Sequence, residues 1–332
     1  MIGIGISIPM MMPFAEDATA FVRSGVLRSP LAITRAQTGG VQSTALNGGN
    51  NGLTFYGADV PRFTGPAQRL LIEGQTTNFI NGMAAPVTQN VTVAAVAHTL
   101  SFYGTGSITL SGVATGTLSG TGANDRVALT FTPTPGTLTL TVSGTVTRAQ
   151  IEARGFATSY VEVSSGAATR GVDLISATLA DLGVTSGITM LWSGLIYQAP
   201  ATAGEQTIFQ VSDGTANNRY RLISESGSGN ILLLRATAGV GGPNIITPES
   251  PRPTNSIFKI GLSINISTGT AISSLNGRAV GTITGGPTSG LTLFNLGSAN
   301  GSAPMFGETT SIRILPNSVS GADLQSLTGA MP

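Results

Sequence analysis

The chain has no cysteine, one histidine, one tryptophan and, among its 16 basic residues, a single lysine, Lys259. The missing thiols exclude disulfides, thiolate metal sites and cysteine nucleophiles, so a chain exposed outside a cell would be stabilised by burial and subunit contacts. Charge is scarce too: Asp, Glu, Lys and Arg make up 9% of the 332 residues, against roughly 25% in an average soluble protein. The basic residues are scattered and form no cluster, which argues against a nucleic-acid face. His98 has no second imidazole with which to share a metal or a proton, so zinc catalysis is not expected and no cofactor is implied. The apolar start MIGIGISIPMMMPF has no Lys or Arg before Arg23 and no small-residue cleavage site, which makes it a poor secretory leader. Pro9 and Pro13 interrupt any spanning helix of about 20 residues, so membrane insertion is not expected.

What is present is apolar and turn-rich: 41% hydrophobic residues, 45 glycines and a net charge of +1, a composition that folds. The length predicts two or three domains of about 100 to 200 residues each. Ile2, Ile4, Ile6 and Ile8 alternate with Gly3, Gly5 and Ser7 in the period of a strand with one apolar face. Such a strand either pairs with the body of its own chain or docks on a neighbouring subunit by strand addition. From Phe14 to about Arg62, loops and short extended pieces are expected around the tract NGGNNG at residues 47 to 52. Residues 84 to 166 then read as short alternating strands between glycine turns, with Val127, Leu129 and Phe131 on one face and Leu138, Leu140 and Val142 on another. ATLADLGVTSG predicts a short helix, and from ITMLWSGLIYQ onward further strands follow in the rhythm of a second sandwich. Ser320, Leu324 and Leu327 in SGADLQSLTGA predict a short capped helix at the end of that sandwich. The expected fold is therefore all-β: an extended attachment segment (1–60), a first β-sandwich (61–168) and a second, jelly-roll or lectin-like β-sandwich (169–332) closed by a short C-terminal helix.

Candidate chemistry is sparse. SDGTANN offers Asp213, Asn217 and Asn218 within one loop, either as oxygen ligands for calcium or as an Asx-stabilised turn. NNRYRL adds Arg219, Tyr220 and Arg221 beside it, an aromatic ring with planar donors of the kind that contacts sugars. Strand alternation offers the other reading, with Tyr220 and Leu222 on one face and Arg219 and Arg221 on the opposite one. Trp192 reads as core, His98 as structural, and Arg69, Glu73, Glu152 and Arg154 as ion pairs joining the linker to the first sandwich. Asp213, Glu205 and Glu225 lie on neighbouring segments, but their spacing does not single out the two carboxylates that glycoside hydrolysis requires.

Four segments carry a resemblance: PRFTGPAQRLLIEGQTTN (61–78), TLSFYGTGSITLSG (99–112), RVALTFTPTPGTLTLTVSG (126–144) and AQIEARGFATSYVEVSSGAATRGVD (149–173). In these the chain resembles the phage head spike fibre proteins, with relatives in phage tails and gene transfer agents. The strand rhythm of the C-terminal part, its LNG turn at 275–277 and the SGADLQSL helix resemble the concanavalin or laminin-G type of lectin sandwich. The resemblance implies a non-enzymatic virion protein, a head spike or fibre component binding host-surface glycan. By analogy with other spikes it implies a homotrimer, attached to other virion proteins through the N-terminal segment and Ile2, Ile4, Ile6 and Ile8. The rival readings are a purely architectural decoration or tail protein contacting only virion proteins, and a glycan depolymerase.

Overall fold

The computed structural model describes residues 20–23, 25–37, 43–46, 53–81, 85–163, 166–197 and 204–332. The expected strand carrying Ile2, Ile4, Ile6 and Ile8 lies outside these residues.

The described chain is all-β apart from one short helix, with two separate sandwiches. The larger packs a nine-stranded sheet against an eight-stranded one, antiparallel throughout. Gly187–Ile196 is central in the first sheet, between Gly307–Leu315 and Phe258–Asn265. Gln206–Ser212 is central in the second, between Arg219–Ser224 and Leu293–Leu296. Period-two alternation sends Met190, Trp192, Ile312, Ile314, Ile260 and Leu262 from one sheet, and Val211, Tyr220, Leu222, Leu233, Phe294 and Leu296 from the other, into a common core. Trp192 is fully buried, meets Phe258 edge to face at 5.0 Å and donates through Nε1 to Thr309 Oγ1 at 2.8 Å.

The smaller sandwich packs a three-stranded sheet (Gly122–Phe131, His98–Gly104, Val146–Glu152) on a four-stranded one (Gly116–Ser119, Ser107–Gly112, Gly136–Ser143, Gln89–Val93). Its core collects Val91, Leu100, Phe102, Ile108, Leu110, Leu138, Leu140 and Ile151. The turn before Gly136 carries the chain from one sheet to the other, so Gly122–Phe131 and Gly136–Ser143 belong to opposite layers. His98 is buried, its Nδ1 is 2.8 Å from the Val96 carbonyl oxygen, and its ring lies beside those of Phe79 and Phe131.

The expected boundaries at 60 and 168 do not follow the sheets. Ala20–Arg23 pairs with Gly307–Leu315, and Ala32–Thr34 pairs with Leu174–Thr178, so the described part of the expected attachment segment is built into the larger sandwich. Phe63–Thr64 and Arg69–Ile72, expected in the first sandwich, also belong to the nine-stranded sheet. The smaller sandwich is thus an insertion within the larger, entered and left through a neck in which Thr76–Asn78 pairs with Ala168–Arg170. Strand alternation is the same whichever sheet a strand joins, so pairing partners 240 residues apart leave no mark on it.

Two local expectations change as well. ATLADLGVTSG only ends the strand Leu174–Thr178 and then turns: the Thr178 hydroxyl accepts from the Asp181 amide, and the chain leaves at Gly183 with φ +71°. The C-terminal helix Gly321–Gly329 forms as expected, capped by Ser320, whose side chain accepts from the Asp323 amide. It does not close the end of the sandwich; it lies on the outer face of the nine-stranded sheet, with Leu324 against Leu191 and Met331. Gly261 permits this approach, because a Cβ there would stand 2.2 Å from Thr328 Oγ1. Among the described residues no helix is long and apolar enough to cross a membrane.

Candidate functional site

The neck is held by buried charge. Asp173 receives Arg35 Nη1 at 2.8 Å, Arg62 Nη2 at 2.6 Å and the Glu73 amide at 2.8 Å, and all three side chains are at or near zero exposure. Glu73 accepts from Arg62 at 2.9 Å, from Arg170, and from both the amide and the hydroxyl of Ser159. Arg170 also donates to the Gly74 carbonyl at 2.6 Å. Burial by itself would raise the Glu73 carboxyl, but the Arg170 and Arg62 guanidiniums outweigh it and hold Glu73 at about 2. Asp173 is likewise held below the usual carboxylate range by Arg62 and Arg35, against its burial. A second carboxylate, Glu152, is satisfied by the hydroxyls of Thr76 and Thr158, the Thr158 amide and Gln150.

The expected pairing of Arg69, Glu73, Glu152 and Arg154 takes a different form. Glu73 pairs instead with Arg62 and with Arg170 of the neck, partners the sequence reading did not name. Arg69 pairs with Glu308 at 3.1 Å, and Arg154 lies 4.5 Å over the Phe306 ring while donating to the Gln75 carbonyl. Asp173 and Arg170 stand in the last quoted segment, in TRGVD, where adjacent opposite charges in an otherwise uncharged stretch were the available signal.

Over this neck, between the two sandwiches, opens a cleft of about 420 Å³. Its wall is largely aromatic: Tyr103 from the smaller sandwich, Phe156 and Tyr160 from the return linker, and Tyr197 and Phe306 from the larger sandwich. Phe306 packs edge to face on Phe156 at 5.1 Å and close against Gly74, where a Cβ would stand 2.5 Å from Phe306 Cζ. Tyr103, Tyr160 and Phe306 are buried, whereas Phe156 and Tyr197 are half-buried and present ring area to solvent. Arg126 is held flat on the wall, donating to the Thr158 carbonyl and to Ser101 Oγ. Burial and then the neighbouring Glu162 push the Tyr160 phenol up to about 12. Burial and Glu308, to which its hydroxyl donates, raise the Tyr197 phenol too. Asn255 stands exposed at the rim.

The loop singled out in the sequence lies elsewhere, at one end of the eight-stranded sheet, in the hairpin between the central strands Gln206–Ser212 and Arg219–Ser224. Asp213 accepts from the amide and hydroxyl of Thr215 and from Asn218 Nδ2, the hydrogen bonding of an Asx turn. Asn218 Oδ1 accepts from the Ala238 amide, and Asn217 is exposed. Tyr220 cannot serve as a stacking platform: its ring is fully buried in the core and its hydroxyl donates to the Pro287 carbonyl. Arg221 is buried on the opposite face, paired with Glu205 and donating to Thr207 Oγ1 at 2.8 Å. This is the alternation the sequence also offered, with Tyr220 on one face and Arg221 on the opposite one. Among the described residues no group of three or more His, Asp or Glu could hold a metal ion.

No protein-family model matches this chain, and no curated protein matches it in sequence. Among solved structures, it is similar to the CBM40 of a Ruminococcus gnavus IT-sialidase bound to α2,3-sialyllactose, with 17% identity and a TM-score of 0.37, over 45% of this chain and 86% of that one. It is similar also to a leech intramolecular trans-sialidase, with 20% identity and a TM-score of 0.37, over 46% of this chain and 24% of that one. A heptameric SAP-like pentraxin from Limulus polyphemus matches over 78% of this chain and 85% of its own, with 9% identity and a TM-score of 0.34.

Proposed function

We propose that this chain is a non-enzymatic structural protein of a virus particle that binds glycan on the host surface, with the aromatic cleft between its sandwiches as the glycan site. The observation that carries the binding role is the cleft itself: half-buried Phe156 and Tyr197 beside the hydroxyl-bearing Thr158, Ser159 and Tyr160, over a neck tied to the larger sandwich by buried ion pairs. Aromatic faces take the C–H surface of a pyranose, and hydroxyls already in place hold its polar edge at little ordering cost. Binding is favoured over cleavage by the fate of the carboxylates. Hydrolysis of a glycosidic bond uses two carboxyl groups about 5 to 10 Å apart, one of them protonated. Glu73 is the one carboxylate of the cleft lining, and it is held ionised by two guanidiniums.

The virion role rests on the resemblance to head spike fibre proteins carried by the four quoted segments, two of which, 61–78 and 149–173, also supply the charged residues of the neck. Particle attachment would fall to the N-terminal segment, and avidity from several copies would multiply weak contacts. A purely architectural role is the second reading, favoured by Val240 and Ile246, 70% and 55% exposed on short strands at the margin of the eight-stranded sheet.

The test is binding of the purified chain to host cells with and without their surface polysaccharide, beside a glycan array. Retention that depends on polysaccharide and falls at least about tenfold in Phe156→Ala is the expected result. No binding to cells or array sinks the adhesin reading and leaves the architectural one.

A further inference from the structure

Among the described residues, the charged side chains lining the cleft are Glu73 and Arg126, and they differ in what neutralises them. Glu73 is already compensated, by Arg62 at 2.9 Å and by Arg170. Glu308, which accepts from the Tyr197 hydroxyl, is likewise paired with Arg69. Arg126 has no acid partner among the described residues: one terminal nitrogen donates to the Thr158 carbonyl and the other to Ser101 Oγ, both neutral acceptors. Each of those nitrogens carries a second N–H, so the guanidinium keeps donors to offer after its two bonds. Ser101 and Thr158 are buried and fix the guanidinium, while Arg126 itself is half-buried. Arg126 stands directly across from Tyr103 in the three-stranded sheet, and both side chains line the cleft. Its acidic neighbour Asp125 is exposed, with its carboxylate turned back over Gly122. A second cation, Arg148, lies 6.0 Å from the centre of the Tyr103 ring. Around the Tyr160 phenol, Arg148 and Arg126 oppose Glu162, two cations to one acid.

We infer that the cleft takes an acidic sugar, with its anionic group, carboxylate or sulfate, held by Arg126 and its ring held by Phe156 and Tyr197. The inference rests on the glycan-binding reading above. An anion that leaves water for this wall gains charge-assisted hydrogen bonds from a guanidinium whose present acceptors are neutral. Because the contact is made inside a cleft, salt screens it less than it would on open surface. A side chain already fixed by two buried acceptors loses little freedom when the ligand arrives, so most of that gain appears as affinity. The planar fork of arginine also suits an anion with two oxygens in one plane better than a lone hydroxyl.

The full chain would be titrated calorimetrically with matched pairs of probes: a galacturonate oligomer and its methyl ester, 3′-sialyllactose and lactose, and sulfated and unsulfated N-acetyllactosamine. At least one acidic member should bind at least about tenfold more tightly than its neutral partner, with an affinity that falls as salt rises. Which pair shows the difference separates carboxylate from sulfate. Arg126→Gln should bring that acidic member down to the level of its neutral partner and remove the salt dependence. Arg126→Lys, which keeps the charge and loses the fork, should bind it more weakly than the parent while retaining the salt dependence. Phe156→Ala should weaken both members of the pair. The comparison within a pair needs no variant, so it stands even where Arg126→Gln does not fold. Acidic and neutral members binding equally, in a manner that Phe156→Ala abolishes, would overturn the acidic preference while keeping the cleft as the site. An acidic preference that survives Arg126→Gln would overturn the assignment to Arg126. Failure of every probe, or binding indifferent to Phe156→Ala, would overturn the cleft reading itself.

Discussion

Single residues in the neck have consequences far larger than their number. Asp173 compensates two buried guanidiniums and caps the Glu73 amide, so Asp173→Asn removes the carboxylate that Arg35 and Arg62 share and leaves Arg62 its ion pair with Glu73. Removing one partner of a buried pair costs about 3 to 5 kcal/mol, and urea unfolding of the variant should show a loss of that size. Arg69→Ala, at a pair that is partly exposed, should cost under about 1 kcal/mol in the same experiment. Trp192 supplies the optical probe: as the sole tryptophan, fully buried, it should emit at short wavelength when folded and shift to the red only when the larger sandwich opens. The residues of the loop 213–218 illustrate the limit of reading chemistry from residue type. Asp213, Asn217 and Asn218 can be read as ligands or as turn formers, and the hydrogen bonds from Thr215 and Ala238 are those of a turn.

At the scale of elements, the C-terminal helix is the clearest case of local sequence acting as read. Its cap, its nine residues and its apolar pair are all where the pattern places them; its docking site is set by Gly261 on a strand some 60 residues earlier. Gly261→Ala should therefore lift the helix, and a Leu324→Ala change should destabilise by about 2 to 5 kcal/mol through the cavity left against Leu191 and Met331. Protease sensitivity of the C-terminus measures both effects; a helix that stays protected in Gly261→Ala would contradict the packing described. Gly74 plays the same part at the neck, where any side chain would strike Phe306 and close the cleft from behind.

For the whole molecule, acid should open the neck before it unfolds the sandwiches. Glu73 and Asp173 have folded pKa values depressed below their unfolded ones. Their stabilisation is therefore complete above the unfolded carboxylate range and lost as pH falls from about 5 toward 2. For Glu73 that contribution is on the order of 3 kcal/mol. Tryptophan emission, reporting the larger sandwich, and proteolysis across the neck should reveal neck opening at a higher pH than core unfolding. Coincident transitions would mean the neck is no weaker than the cores. The all-β character, the long strands of the larger sandwich from Gly187 onward, the buried tryptophan and histidine and the capped helix are determined by local pattern, because alternation and capping act over a few residues. The insertion of one sandwich into the other, the Arg35, Arg62, Asp173, Glu73 and Arg170 cluster, and the cleft above it were decided only by tertiary structure. Those features join distant positions, such as Arg62 and Asp173, 111 residues apart, and strands of identical period carry no information about which partner, in which sheet, they will meet.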